Sequence, residues 1–342
     1  MGVACALSLV SCKDKGAEEW NNKDKEQATV APETASPAAD STAAMQKELL
    51  NYMIFNVGKQ AGAHVTNPAW YEEVRDMRNK LDEYYQTLEG ATGDDLKTRM
   101  QLGIMLGDIT HGMRVDEKAL KFYADTLKEW EALPEEERKS IAGRRMRSAI
   151  ANGMGACTLQ QGKAMEALPF YELALEIDQT IFNELAPADN GPLPLNDISP
   201  DLTRAAEDIL SSYRCLGECQ LRAEDPEEAR DTYKKGQELA MRMNHLPPSV
   251  ALQFIRLRSA QGDLENSCGQ LKNAVQAWAQ AVKLGQDLMK SASQPSVRLQ
   301  IVQNQRKLET LLKAVLPKLQ AEQEAARAAE QAAEQAAEAA KE

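Results

Sequence analysis

Three histidines and six cysteines are the residues of this 342-residue chain whose chemistry suits proton transfer, nucleophilic attack or metal binding. His64, His111 and His245 stand far apart in sequence. No GxSxG elbow, HExxH helix, phosphate-cradling glycine loop or cysteine–histidine motif accompanies them. His111 falls near the end of a helical segment, where a helix-end charge accounts for it, with a position on a binding face as the alternative. Cys215 and Cys219 are four apart and share a helix face, a spacing found in metal sites, but no histidine lies nearby to complete a ligand set. The same spacing does not favour a disulfide between them. The reading adopted for Cys157, Cys215, Cys219 and Cys268 is four small buried hydrophobic side chains. Asp189-Asn190-Gly191 has the start of a calcium turn without the repeated carboxylates or closing glutamate, and reads as a plain turn. No catalytic residue, metal or cofactor is therefore expected.

The elements around these residues are helical by composition. Hydrophobic residues make up 43% and charged residues 27% of the chain, aromatics only 5%. Alanine, leucine, glutamate and glutamine dominate, all good helix formers, and no long β-branched alternating run appears. The net charge of −12 argues against a phosphate backbone as partner, which requires clustered Lys and Arg. Arg144, Arg145 and Arg147 read as a solvated helix face. No window approaches eighteen uninterrupted apolar residues, so no membrane-spanning helix is expected.

A twelve-residue spacing from glycine to alanine recurs: Gly107 to Ala119, Gly155 to Ala167, Gly217 to Ala229. Tyr123, Tyr171 and Tyr233 each follow the alanine by four. With Leu106, Gly162, Ala174, Tyr213 and Leu216 in register, this grid resembles the tetratricopeptide repeat. The resemblance implies antiparallel helix pairs that approach closely at the small residues, with an aromatic filling the remaining space. It implies an all-α fold, a tetratricopeptide-like helical-hairpin solenoid with a long C-terminal helix. The repeat packing set is then Gly107, Ala119, Tyr123, Gly155, Gly162, Ala167, Tyr171, Ala174, Leu216, Gly217, Ala229 and Tyr233. Thr126 and Gly236 replace the last small residue of their units. By the same register Cys157 and Cys219 both occupy position 10, where successive first helices face each other and a disulfide is an open alternative.

Departures from the family are informative. The first three glycines lie 48 and 62 residues apart, against the family's 34, so helices overrun or loops are inserted. The longest insertion, residues 186–202, holds four prolines and a glycine. A fourth unit is expected to start a helix at Pro247-Pro248-Ser249 and to turn at Gly262-Asp263, with Ser267 in place of the packing alanine. A rival frame puts Gly262, Ala274, Trp278 and Ala281 on the twelve-residue grid.

Leu9-Val10-Ser11-Cys12 resembles the lipobox of bacterial lipoproteins, preceded by an apolar stretch but by no Lys or Arg. The resemblance implies cleavage before Cys12 and a lipid on its thiol. Lys13 after it favours the outer membrane by the enteric sorting rule. Residues 1–11 are then a signal peptide, and 12–43 a lipidated linker too polar to fold. Residues 44–95 hold two amphipathic helices, 45–60 and 69–88, as an N-terminal cap or degenerate repeat. Residues 96–292 are the repeats. A capping helix follows at 296–319, with Val297, Ile301, Leu308, Leu312, Val315 and Leu319 on one stripe and a kink expected at Pro317. An alanine-, glutamate- and glutamine-rich helical tail closes the chain at 320–342.

The function implied is a non-enzymatic scaffold or adaptor of the bacterial cell envelope, held to the membrane by lipid alone and facing the periplasm or in the outer membrane. Its partner is a protein or peptide, not a nucleic acid. By the family's pattern the groove is lined by Gln101, Ile104, Asp108 and His111, by Asn152, Ala156, Leu159 and Gln160, and by Arg214, Glu218, Leu221 and Arg222. The alternative is a glycan- or peptide-capturing lipoprotein of an uptake system, which Trp20, Trp70, Trp130 and Trp278, scattered along the chain, disfavour as a stacking platform.

Overall fold

Four helices of this chain end in the same way. Arg114, Gly162, Glu224 and Gly269 each adopt a positive φ, at 65°, 80°, 64° and 73°. In each case the next residue's N–H reaches back five residues: Val115 to Thr110, Lys163 to Thr158, Asp225 to Gln220 and Gln270 to Glu265, at 3.1, 3.2, 2.9 and 2.8 Å. The left-handed residue's own N–H meets the carbonyl three before it, from Arg114 to His111 through Gly269 to Asn266. This paired capping satisfies carbonyls that a helix end would otherwise leave open. Each left-handed residue lies seven positions after one of Gly107, Gly155, Gly217 and Gly262, so four copies of one turn occur among the described residues.

The computed structural model describes residues 68–186, 199–243, 246–292 and 295–339. Its helices are α1 (Pro68–Thr87), α2 (Gly93–Gly112), α3 (Asp116–Glu131), α4 (Glu135–Lys139), α5 (Ile141–Gln160), α6 (Ala164–Leu185), α7 (Pro200–Arg222), α8 (Pro226–Met241), α9 (Pro248–Ser267), α10 (Leu271–Ser291) and α11 (Pro295–Ala339). Cys12, the linker, the 45–60 segment, His64, His245 and Asp189-Asn190-Gly191 lie outside the described residues. Helix starts are set locally. Ser140 and Ser199 side chains accept from the N–H of Gly143 and Leu202, Asp225 from that of Glu228, and prolines open α7, α8 and α9.

The chain divides into two compact units, Met1–Phe170 and Tyr171–Glu342, with α6 contributing to both. In the first, α2 packs against α1, α3 and α5, and α3 against α5. Met77, Leu81, Tyr84 and Tyr85 of α1 join Leu102, Leu106 and Phe122 in one core. The added residues between Gly107 and Gly155 lie in the connection carrying the short α4. In the second unit α7 packs against α8 and α9, α8 against α9, and α9 and α10 against each other and α11.

Small residues receive rings. A Cβ on Gly107 would lie 2.5 Å from the Tyr123 ring, and one on Gly217 2.5 Å from Tyr233. Gly153 of α5 also closes on Tyr123, so that ring meets glycines of two helices, and Gly103 makes room for Thr126. Gly155 and Ala167 are buried in the first unit, Tyr171 and Ala174 in the second. Ala119 and Ala229 are fully buried, and Leu216 is 6% exposed.

The fourth hairpin corrects the expected frame. α9 runs through Gly262 and Asp263 to Ser267, and the turn falls at Cys268-Gly269-Gln270. Gly262 lies against Trp278, and Ala274, Trp278 and Ala281 are all fully buried. The rival grid therefore describes this hairpin. Helix propensity and the packing of Gly262 on the indole outweigh the turn tendency of a Gly-Asp pair. At the C-terminus the capping segment and the tail are continuous. α11 is one 45-residue helix passing through Pro317. Its stripe is spent inside: Val297, Ile301, Leu308 and Val315 are buried against Trp278, Ala281 and Leu288, with Leu312 partly covered. Residues 320–335 are exposed throughout.

Candidate functional site

In the first unit, the first-helix residues expected to line a groove have separate fates. Gln101 is exposed. Ile104 is buried with Ala119, Tyr123, Ile150 and Cys157, because α5 packs over it, and Leu159 is buried as well. Neither belongs to an open face. Asp108 is half-buried, and its Oδ1 accepts the Tyr123 hydroxyl at 2.6 Å. Burial pushes the Asp108 carboxyl up to about 7 from an ordinary 3.8, the Tyr123 hydrogen bond pulling the other way. Asn152, Ala156 and Gln160 are half-buried.

His111 stands in the last turn of α2, where it meets two residues from neighbouring helices. Its Nδ1 lies 2.7 Å from Oδ1 of Asp116, the first residue of α3, and 3.6 Å from Sγ of Cys157 in the last turn of α5. Gln160 Nε2 donates to both Asp116 oxygens, at 3.2 and 2.9 Å, and its Oε1 accepts from Arg114 at 2.5 Å. The two chain ends of adjacent hairpins are thereby tied. Burial, with the Asp116 and Asp108 carboxylates, pushes the Cys157 thiol up to about 12. The Cys215 thiol is likewise raised by burial, and Cys219 is pushed up to about 11. All four described cysteines are free thiols. One imidazole nitrogen faces both the thiol and the carboxylate, whereas a nucleophilic relay puts them on opposite ring nitrogens. The arrangement holds donors together without forming such a relay.

Asp116 was not among the sequence candidates, and the pairing of His111 with Cys157 was not foreseen. Toward the opposite end of α5, Arg147 is not simply solvated: its guanidinium lies 5.6 Å from the Trp130 ring centroid, and Arg138 5.7 Å from it. The Trp130 indole donates to the Gly143 carbonyl at 2.7 Å.

In the second unit, α7 carries Arg214, Glu218, Leu221 and Arg222. Arg214 donates to Glu218 at 2.9 Å, and Arg222 is exposed. In two hairpins the acidic residue after the crossing glycine is bound to the ring of the second helix, Asp108 to Tyr123 and Asp263 to Trp278 Nε1 at 3.0 Å. Glu218 holds the same position and turns to Arg214 instead. The buried Tyr233 hydroxyl has no hydrogen-bond partner among the described residues.

The helix pairs, their turns and the ring-on-glycine contacts define an all-α protein of tetratricopeptide-like hairpins. No protein-family model matches the sequence, and no curated protein matches it. Among solved structures, the chain is similar to a kinesin-light-chain-like protein of Podosopora anserina with nearly identical TPR-like repeats. The identity is 11%, the match covers 73% of this chain and 98% of that one, and the TM-score is 0.49. It is also similar to BtubC (BKLC) from P. vanneervenii, at 14% identity over 75% of this chain and 94% of that one, with a TM-score of 0.48. At these values the fold rests on the chain's own hairpins. No helix among the described residues is long and apolar enough to cross a membrane.

Proposed function

We propose that this chain is a lipid-anchored scaffold of the bacterial envelope that captures a protein partner on the first-helix face of α7. Stacked helical hairpins present continuous surfaces suited to extended segments of other chains. The observation that carries the reading is the altered use of Glu218. In the hairpins of Asp108 and Asp263 the equivalent carboxylate is consumed by an aromatic of the second helix. On α7 the carboxylate stays with half-buried Arg214, and Arg222 one turn further on is exposed, so two guanidiniums and one carboxylate follow each other at four-residue intervals along one helix face. Arginine forks of this kind grip a peptide's acidic side chains and backbone carbonyls. Anchoring is supported by Leu9-Val10-Ser11-Cys12, and an envelope location follows from it. A binding role without catalysis is supported by the hairpin fold and by the absence of a catalytic motif in the sequence.

The test uses the full chain as bait on a detergent-solubilised envelope fraction, with partners identified by mass spectrometry and the affinity then measured with the purified partner. Arg214→Ala combined with Arg222→Ala should weaken capture at least tenfold, about 1.4 kcal/mol, with an unchanged circular-dichroism melt. Capture of the same protein at wild-type affinity would remove α7 from the reading. Recovery of a glycan and no protein would replace the scaffold with a ligand-capturing role.

A further inference from the structure

We propose that His111, Asp116 and Cys157 form a binding site for a single thiophilic divalent transition ion of the zinc class, bridging the first two hairpins. One donor atom from each residue, an imidazole nitrogen, a carboxylate oxygen and a thiol sulfur, lies within 4.8 Å of the other two. Three protein ligands of nitrogen, oxygen and sulfur type with a fourth position left for water or another ligand is a coordination set that zinc accepts. Bond lengths of about 2.0–2.1 Å to nitrogen and about 2.3 Å to sulfur, at a tetrahedral angle, require nitrogen and sulfur to stand about 3.6 Å apart. His111 Nδ1 and Cys157 Sγ are 3.6 Å apart. The same geometry sets nitrogen and oxygen about 3.4 Å apart. His111 and Asp116 are at 2.7 Å, a hydrogen bond that an ion would replace by a modest rotation of the carboxylate.

The surroundings fit the same conclusion. The Nδ1 proton serves the carboxylate at 2.7 Å and leaves the sulfur at 3.6 Å as at most a weak third centre, whereas an ion would engage all three donors. The second layer is also built. Gln160 fixes both Asp116 oxygens and is itself held by Arg114, the kind of outer hydrogen bonding that orients metal-binding carboxylates. Cys157 is fully buried and His111 9% exposed, while the Asp116 side chain at 14% keeps an edge to solvent through which an ion enters. Binding balances simply: the thiol gives its proton to water and becomes the thiolate ligand, the imidazole keeps its one proton on Nε2, and no electron is transferred. The ion would pin the end of α2 and the start of α3 to the end of α5.

The experiment titrates metal-free full-length protein with Co²⁺ as a spectroscopic probe, then displaces it with Zn²⁺. The expected result is one ion per chain, with a sulfur-to-cobalt charge-transfer band and tetrahedral d–d absorption that Zn²⁺ abolishes. Cys157→Ser should lose the charge-transfer band, and His111→Gln should lose tight binding. Gln160→Ala, which leaves all three ligands in place, should weaken Zn²⁺ about tenfold or more. Cys215→Ser with Cys219→Ser should change nothing, which separates the cluster from the other described thiols. Should Cys157→Ser prove unfolded, His111→Gln and Gln160→Ala decide the matter, since both alter residues nearer the surface. The proposal is overturned by a wild-type chain that gives no thiolate band, or by unchanged Zn²⁺ affinity in His111→Gln and Gln160→Ala.

Discussion

Gly262→Ala gives the sharpest test of the fourth hairpin, because the sign of its effect depends on which frame the chain uses. At an unobstructed helix interior, glycine to alanine stabilises by about 1 kcal/mol. Here the added methyl would sit inside contact distance of Trp278 Cδ1 and Nε1 and 2.9 Å from Cγ. The indole has little freedom to yield, being fully buried and tied through Nε1 to Asp263 at 3.0 Å. Overpacking of this kind costs about 1–3 kcal/mol. Set against the propensity gain, and with the clash near its severe end, the net loss is about 2 kcal/mol. For a unit of this size that lowers the melting midpoint by about 4–8 °C. Trp278→Leu destabilises by itself, since it empties part of a core, but it also removes the obstruction. In that background Gly262→Ala should be neutral or stabilising, giving a coupling of about 2 kcal/mol in the double-mutant cycle. Denaturant unfolding of the four proteins, with equal m-values, measures it. Equal effects of Gly262→Ala with and without Trp278 would refute the ring-on-glycine packing. They would return Gly262 to a turn.

Three further outcomes are expected. The raised Asp108 carboxyl binds its proton more tightly folded than unfolded, so its contribution to stability falls as pH rises from 3.8 to about 7. Asp108→Asn keeps an acceptor for Tyr123 and should therefore melt higher than wild type at pH 8, by about 1–2 kcal/mol after allowance for solvent at this half-buried site, with the difference gone near pH 4. Glu224→Gly relieves a left-handed backbone at an exposed turn and should stabilise by about 1 kcal/mol, while Gly269→Ala, with open space around its Cβ, should cost a similar amount; opposite signs in chemical denaturation check this. Cys12→Ser should abolish incorporation of a fatty-acid analogue in labelled cells, and equal labelling of both proteins would remove the lipid anchor.

Most of the hairpin architecture was readable because it depends on side-chain volume at fixed spacing. A glycine facing an aromatic sixteen residues later is a steric statement that survives translation into letters, as Gly107–Tyr123 and Gly217–Tyr233 show. The fourth copy was obscured by one substitution that preserves the physics and by one dipeptide that imitates a turn. Trp278 takes the tyrosine's place, and Gly262-Asp263 looks like a turn although its aspartate serves to hold the indole. The turns themselves were hidden for a related reason. Only two of the four left-handed positions are glycine, and Arg114 and Glu224 adopt the same backbone because the helix-end hydrogen bonds outweigh the strain. Gly153 was missed entirely, since its role against Tyr123 depends on α5 crossing α3 and not on any spacing within a hairpin.

The His111 cluster marks where reading along the chain stops. Its ligands are 5 and 46 residues from the histidine, and neither interval has meaning until the helices are placed. Yet once the common turn is recognised, the juxtaposition follows from register. His111 stands four residues after Gly107 and Cys157 two after Gly155, both in the last turn of first helices that pack side by side, and Asp116 opens the helix just past the left-handed Arg114. Because the capping turn keeps a constant seven-residue offset from the crossing glycine, alignment on either puts thiol, imidazole and carboxylate near one end of the hairpins. Burial as a small hydrophobe was the reading adopted for Cys157, with a disulfide to Cys219 as the open alternative, and the residue beside it on α2 is a histidine. A thiol next to an imidazole and a carboxylate makes a set of three unlike donors, and the distinction from a disulfide can be read by whether Cys157 responds to a metal ion or to an oxidant.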